Sequence, residues 1–188
     1  DTAYAAAGGN PLLVQAIAED CRQRGWTGGA PVLHEAYRQA VVSCLYRREG
    51  NLALVASAVA VLGDLAAATS VGRMLDLDLP AVERAVTALT TAELLDAYRF
   101  RHPAARDAVL RNVTIAGHGT LYLRAAAMLY DDGAPAEYVA DLLVAAGTTD
   151  GPWALSVLCQ AAELALGGGT TDTAVGYLKL ARQAAGTE

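Results

Sequence analysis

The stretch that decides the fold is Ala97-Tyr98-Arg99-Phe100-Arg101-His102-Pro103-Ala104-Ala105-Arg106-Asp107-Ala108-Val109. Residues 97–101 favour an extended conformation. Pro103 then fits the first turn of a helix, because its missing N–H would have no partner there anyway. The pattern therefore predicts a strand that leads through His102 directly into a helix. Arg106 lies on that helix, and we expect it to form an ion pair with a carboxylate.

The residues before this junction predict a compact set of short helices. Leu52–Leu62 is apolar on nearly every side, which is typical of a buried helix. Asp64 is expected to cap a short helix that runs through Val71, and Asp78 to cap another that has Pro80 in its first turn. Three helices, a β-hairpin and a closing helix follow the order of a winged helix. We therefore predict a winged-helix-like domain over residues 50–113.

Residues 1–49 predict a separate helical segment. A first helix ends near Gly8-Gly9, and Asn10 then caps a second helix with Pro11 at its first position. Residues 25–31 are rich in glycine and form a linker. A further helix is expected from about Val32 to Arg48, with two arginines in its last turn.

Residues 114–188 predict helix pairs that repeat at an offset of 36 residues. The matching pairs are Ala125 with Ala161, Ala126 with Ala162, Gly133 with Gly169, Val139 with Val175, Leu142 with Leu178, and Ala145 with Ala181. This offset is close to the period of about 34 residues in tetratricopeptide (TPR) repeats. The fold class is therefore mainly α, a winged helix followed by TPR-like antiparallel helix pairs, and we expect the array to continue beyond residue 188.

Composition and charge argue against several functions. No apolar run reaches the roughly 18 residues of a membrane span, and three unpatterned cysteines suggest reduced thiols, mostly buried in helices, in a cytoplasmic protein. A net charge of −6 and a single base, Arg84, in the helix over residues 80–90 disfavour direct DNA contact. His34 and His118 lack metal-ligand spacing, and no catalytic constellation is present, so we expect neither a metal site nor enzyme activity.

Four segments together resemble the large ATP-binding regulators of the LuxR family, which contain a STAND-type ATPase. They are residues 9–13, residues 59–64, residues 99–109 (Arg99-Phe100-Arg101-His102-Pro103 with Arg106-Asp107-Ala108-Val109), and residues 133–140. The resemblance implies that Pro11 packs near the adenine of a bound nucleotide. It also implies that His102 contacts the β-phosphate of ADP, whose charge would favour a protonated ring.

The resemblance further implies the partners and the cofactor. ATP or ADP belongs to the parent protein, because this chain lacks the Gly-x-x-x-x-Gly-Lys-Ser/Thr phosphate loop and does not begin with Met, as expected of a piece of a longer protein. The partners implied are the missing ATPase core, an effector or protein on the helical repeats, and further copies of the chain. The expected function is therefore the regulatory part of an ATP/ADP-controlled transcriptional activator.

Two other interpretations remain open from the sequence. The chain could be a helical scaffold for protein interactions without a nucleotide role, which a large separation between Pro11 and His102 would favour. It could also come from an ATPase-and-repeat region fused to a signalling enzyme such as a nucleotide cyclase. For His102 itself, the simpler alternative is a hydrogen bond to backbone at the end of a strand.

Overall fold

The chain is mainly helical, as predicted. The structure, a computed structural model, describes residues 2–25, 28, 33–46, 51–113 and 115–185. These form eleven α-helices, one short 3-10 turn and one two-stranded sheet. The chain divides into two compact units, Asp1–Val113 and Thr114–Glu188. The separation of residues 1–49 from residues 50–113 as distinct domains stays a prediction.

The first unit is built around one buried helix. Its elements are α1 (Thr2–Ala7), α2 (Pro11–Gln23), α3 (Glu35–Tyr46), α4 (Leu52–Leu62), α5 (Ala68–Leu75), α6 (Leu79–Thr91), β1 (Leu95–Asp96), β2 (Arg99–Phe100) and α7 (Pro103–Asn112). Nine of the eleven residues of α4 are buried, and the helix contacts α3, α5, α6, α7 and β2. Its prediction as a buried helix is confirmed. The predicted ends of α3, Val32 and Arg47-Arg48, lie outside the described residues.

A buried carboxylate joins α2 to α3. Asp20 is 1% exposed, and its oxygens accept hydrogen bonds from the backbone N–H groups of His34, Ala36 and Tyr37 at 2.7, 3.0 and 2.9 Å. These donors belong to the start of α3, where backbone N–H groups have no partner within the helix. An acidic side chain from α2 therefore caps α3 across the helix pair.

Tyr37 extends this connection to α1. Its hydroxyl donates a hydrogen bond to the carbonyl oxygen of Ala6 at 2.7 Å. The side chain is 1% exposed, and burial raises the pKa of its phenol to about 12. The three N-terminal helices are thus held together by Asp20 and Tyr37, and no local sequence pattern pointed to either residue.

Of the two predicted aspartate caps, one is confirmed and one is wrong. The side chain of Asp78 accepts a hydrogen bond from Ala81 N at 2.7 Å, and α6 begins at the adjacent residue. Asp64 instead lies inside the 3-10 turn Gly63–Leu65, which places its side chain too early to cap α5. The hydroxyl of Ser70 accepts from Ala67 N at the start of that helix instead.

The second unit is a succession of four helices. They are α8 (Ile115–Asp131), α9 (Ala136–Ala146), α10 (Pro152–Gly167) and α11 (Thr171–Ala185), and each packs against the next, with a further contact between α9 and α11. Short loops of three to five residues separate them, as in helical hairpins. Assignment of these helices to the TPR class stays a prediction.

The predicted offset of 36 residues holds only for the first helix and turn of each pair. Gly133 and Gly169 both have positive φ, 69° and 76°. The residues after them, Ala134 and Thr170, donate equivalent N–H bonds of 2.9 Å back to α8 and α10. In the second helices the offset is wrong, because Val139 is fully buried whereas Val175 is 41% exposed. The loop before α11 has three residues and the loop before α9 has four, so α11 starts 35 residues after α9.

Candidate functional site

His102 lies at the predicted junction between strand and helix. The strands β1 and β2 pair in antiparallel register, Leu95 with Phe100, and form a hairpin. His102 is the N-cap residue of α7, and its Nδ1 accepts a hydrogen bond from Ala104 N at 3.1 Å. The side chain is half-buried. The simpler interpretation of His102, a hydrogen bond to backbone at a strand end, therefore describes its contact within this chain.

The cap hydrogen bond determines which ring nitrogen of His102 carries the proton. A nitrogen that accepts a hydrogen bond has no proton of its own, so Nδ1 of His102 is unprotonated in this geometry. A neutral ring then has its proton on Nε2, which is its single donor. The protonated ring expected beside a diphosphate would need a proton on Nδ1 and would break the bond to Ala104 N. His102 can therefore cap the helix and bind a phosphate at the same time only if the ring is neutral and donates through Nε2.

Pro11 begins α2 beside a side chain that links two parts of the unit. The Oδ1 atom of Asn10 accepts from Leu12 N at 3.0 Å, which confirms the predicted cap. The Nδ2 atom of the same side chain donates to the carbonyl oxygen of Ala92 at 2.8 Å. Ala92 ends α6 just before the hairpin. One amide group therefore fixes both the start of α2 and the segment that leads to His102.

Glu93 makes a second connection between these segments. Gly8 has φ +57°, and a Cβ atom at this position would lie 2.6 Å from Glu93 Oε2 and 2.7 Å from Glu93 Cβ, so Glu93 packs directly on it. The Oε2 atom of Glu93 also lies 3.2 Å from Nε of Arg101, the neighbour of His102. The Gly8–Pro11 segment and the hairpin segment, residues 92–102, are thus in contact. Neither Ala92 nor Glu93 could be identified from local sequence patterns, because their contacts with Asn10 and Gly8 join residues more than eighty positions apart.

Arg106 forms a different contact from the one predicted. Its Nε donates to the carbonyl oxygen of Ala60 at 2.8 Å, and among the described residues it forms no ion pair. Ala60 lies in the last turn of α4, where carbonyl groups lack helical partners and the helix dipole attracts a cation. The prediction of a carboxylate partner is wrong, because the end of α4 supplies the acceptor.

Other candidate chemistry is sparse in the part of the chain that the structure describes. No group of three or more His, Cys, Asp or Glu side chains there could hold a metal ion, and none of its helices is long and apolar enough to cross a membrane. All three cysteines are free, but only Cys44 is buried. His34 lies at the start of α3 beside Arg24, and the ring of His118 packs on that of Tyr122, with centroids 4.9 Å apart.

Comparison with known proteins identifies no relative of this chain. No protein family, curated protein or solved structure matches the chain. The site must therefore be interpreted from its own geometry. Contact of Pro11 or His102 with a nucleotide stays a prediction.

Proposed function

We propose that this chain is the regulatory part of an ATP/ADP-controlled transcriptional activator similar to the large LuxR-family regulators. In this proposal residues 1–49 end a STAND-type ATPase module, residues 50–113 form a winged helix, and residues 114–188 begin a TPR-like sensor. The observation that carries the proposal is the contact between the Gly8–Pro11 segment and the hairpin segment. It places the segment that begins α2 at Pro11 against the segment that leads into His102, and these two residues are the ones that a nucleotide would contact in the proposal.

The exposed face of α2 supports the proposal that this helix packs against another module in the parent protein. Pro11, Val14 and Ala18 are all exposed, and Val14 is 51% exposed. Their spacing of three and four residues places them on one side of the helix. An apolar stripe of this kind suits packing against the ATPase core, with Pro11 at the end nearest the hairpin segment.

In the proposed resting state, ADP is held between the ATPase core and this chain. The ATPase core binds the phosphates, Pro11 contacts the adenine and the Nε2–H of His102 donates to the β-phosphate. An effector or protein partner on the helices of the second unit, or self-association, would then favour exchange of ADP for ATP. This part of the protein catalyses no reaction and makes no direct DNA contact in the proposal.

The test separates the two nitrogens of His102. In a protein extended N-terminally through an ATPase module, His102→Asn keeps an acceptor for Ala104 N and removes the donor at the Nε2 position. His102→Gln keeps a donor near that position and loses the cap, at a cost of about 0.5–2 kcal/mol in stability. The expected result is that the Asn variant loses bound ADP and the Gln variant retains more of it, with nucleotide released by denaturation and identified by chromatography.

Other outcomes would contradict the proposal. Equal ADP retention by the wild type and by the Asn variant would mean that His102 only caps α7 and does not contact the nucleotide. Absence of nucleotide from every sample, with none bound on titration, would favour the helical scaffold. That alternative draws support from exposed apolar side chains on the second unit, among them Tyr138, Val175 and Leu178, which are 58, 41 and 45% exposed.

A further inference from the structure

A small cleft lies between α3 and α7 in the first unit. Its volume is about 260 Å³, and Leu33, Ala104 and Ala108 supply its apolar lining. The two alanines face the cleft with a single methyl group each, which leaves space between the helices. Sites for drug-sized ligands have volumes of roughly 300–1,000 Å³, so the cleft suits a smaller molecule.

On one side of the rim, the two charged side chains already pair with each other. Glu35 and Arg38 both line the cleft, and Nε of Arg38 lies 3.0 Å from Oε2 of Glu35. Hydrogen bonds from Arg38 and then Gln39 hold the pKa of Glu35 below its usual value. Because Asp20 also fixes the backbone at this end of α3, this side of the cleft is preformed.

The other side of the rim carries two charges without partners. Asp107 and Arg111 both line the cleft from α7. Their order and their spacing of four residues favour an ion pair on a helix, as Glu19 with Arg22 and Glu35 with Arg38 form at a spacing of three. Among the described residues, however, neither Asp107 nor Arg111 forms an ion pair or a hydrogen bond. One carboxylate and one guanidinium thus remain available beside an apolar floor.

We propose that this cleft binds a small aliphatic α-amino acid, or a zwitterion of the same chemistry. Asp107 binds the ammonium group, Arg111 binds the carboxylate, and the aliphatic side chain lies against Ala104 and Ala108. A ligand with a single charge would leave one of the two rim groups unpaired. The net charge of the paired and unpaired rim groups is zero, which matches a ligand with one charge of each sign.

This inference goes beyond the proposed function, because it concerns a ligand site that needs no nucleotide. It also has a route to the candidate site, since α7 carries both the cleft residues and the cap residue His102. Both can therefore be tested separately, the cleft on this chain alone and the nucleotide contact on the extended protein.

The experiment is a titration of this chain with L-valine, followed by the chemical shifts of its backbone amides. The expected result is saturable binding, with the shifts concentrated at residues 33–38 and 104–111. The variants Asp107→Asn and Arg111→Gln should each weaken binding by about tenfold or more, because each removes a charge-assisted hydrogen bond. Arg84→Gln, which removes an exposed arginine of α6 outside the cleft, should leave the affinity unchanged.

Two ligand analogues and a filled cleft complete the test. Valinamide lacks the carboxylate and 3-methylbutanoate lacks the ammonium group, so both should bind at least about tenfold more weakly than valine. Ala104→Leu should abolish binding by occupying the floor. The proposal is overturned if valine shows no saturable binding, if Asp107→Asn and Arg111→Gln bind it as well as wild type, or if the shifts map outside the cleft. The two charge variants decide the matter even if Ala104→Leu does not fold.

Discussion

Replacing Asp20 with alanine should destabilise the first unit by about 3–5 kcal/mol, because each hydrogen bond to a buried charged group contributes about 1.5–3 kcal/mol. The carboxylate accepts three backbone N–H bonds of 2.7–3.0 Å and is 1% exposed. When the side chain is lost, water molecules that enter the site can accept from some of those N–H groups, which offsets part of the lost free energy. The estimate exceeds the roughly 0.5–2 kcal/mol of an ordinary helix cap because this acceptor is charged and buried.

Urea denaturation followed by circular dichroism measures the change, and hydrogen exchange over residues 33–46 locates it. Asp20→Asn should lie between wild type and Asp20→Ala, since one amide oxygen still accepts but the amide NH₂ then faces a backbone donor. Glu19→Gln is the matched control, because its ion pair with Arg22 is exposed and such pairs contribute about 0–1 kcal/mol. The reasoning is refuted if Asp20→Ala and Glu19→Gln differ by less than about 1 kcal/mol, or if exchange in α3 is unchanged.

Three further predictions concern stability. Raising the pH from 10 to about 12 should lower the stability of the first unit, because the folded pKa of Tyr37 is about 12 and the unfolded state loses its proton first; pH-dependent urea melts should show a smaller fall for Tyr37→Phe. Gly133→Ala and Gly169→Ala should each cost about 1–2 kcal/mol at positive φ, whereas Gly176→Ala inside α11 should stabilise by up to about 1 kcal/mol, as compared in thermal melts. Arg106→Lys should keep the charge, lose the bond to Ala60 and cost about 1–2 kcal/mol in urea denaturation.

Local rules predicted the elements whose signals lie within a few residues. Asn10 and Asp78 cap helices because their short side chains reach a backbone N–H two or three residues ahead. Pro103 starts α7 for an equally local reason, and the unbroken apolar composition of α4 indicated its burial directly. These predictions needed no knowledge of which elements pack together.

The contacts that build the site could not be predicted in the same way. The bond from Asn10 to Ala92 joins residues 82 positions apart, and the bond from Arg106 to Ala60 joins residues 46 apart. A polar side chain has several possible partners until packing selects one. The offset of 36 failed in α11 for a related reason, because the buried side of a helix depends on the helices it packs against, and α11 contacts α9 as well as α10.

The cap bond of His102 gives the proposed sensor a definite chemistry. Because Nδ1 accepts from Ala104 N, Nε2 is the ring nitrogen left to donate while α7 is capped, and the proposed contact with a phosphate would be a single hydrogen bond from Nε2. In the proposed resting state the same ring therefore contacts the phosphate and still caps α7, which packs against α3 and α4. The Asn and Gln variants of His102 separate these two roles, because each keeps the atom that serves one of them.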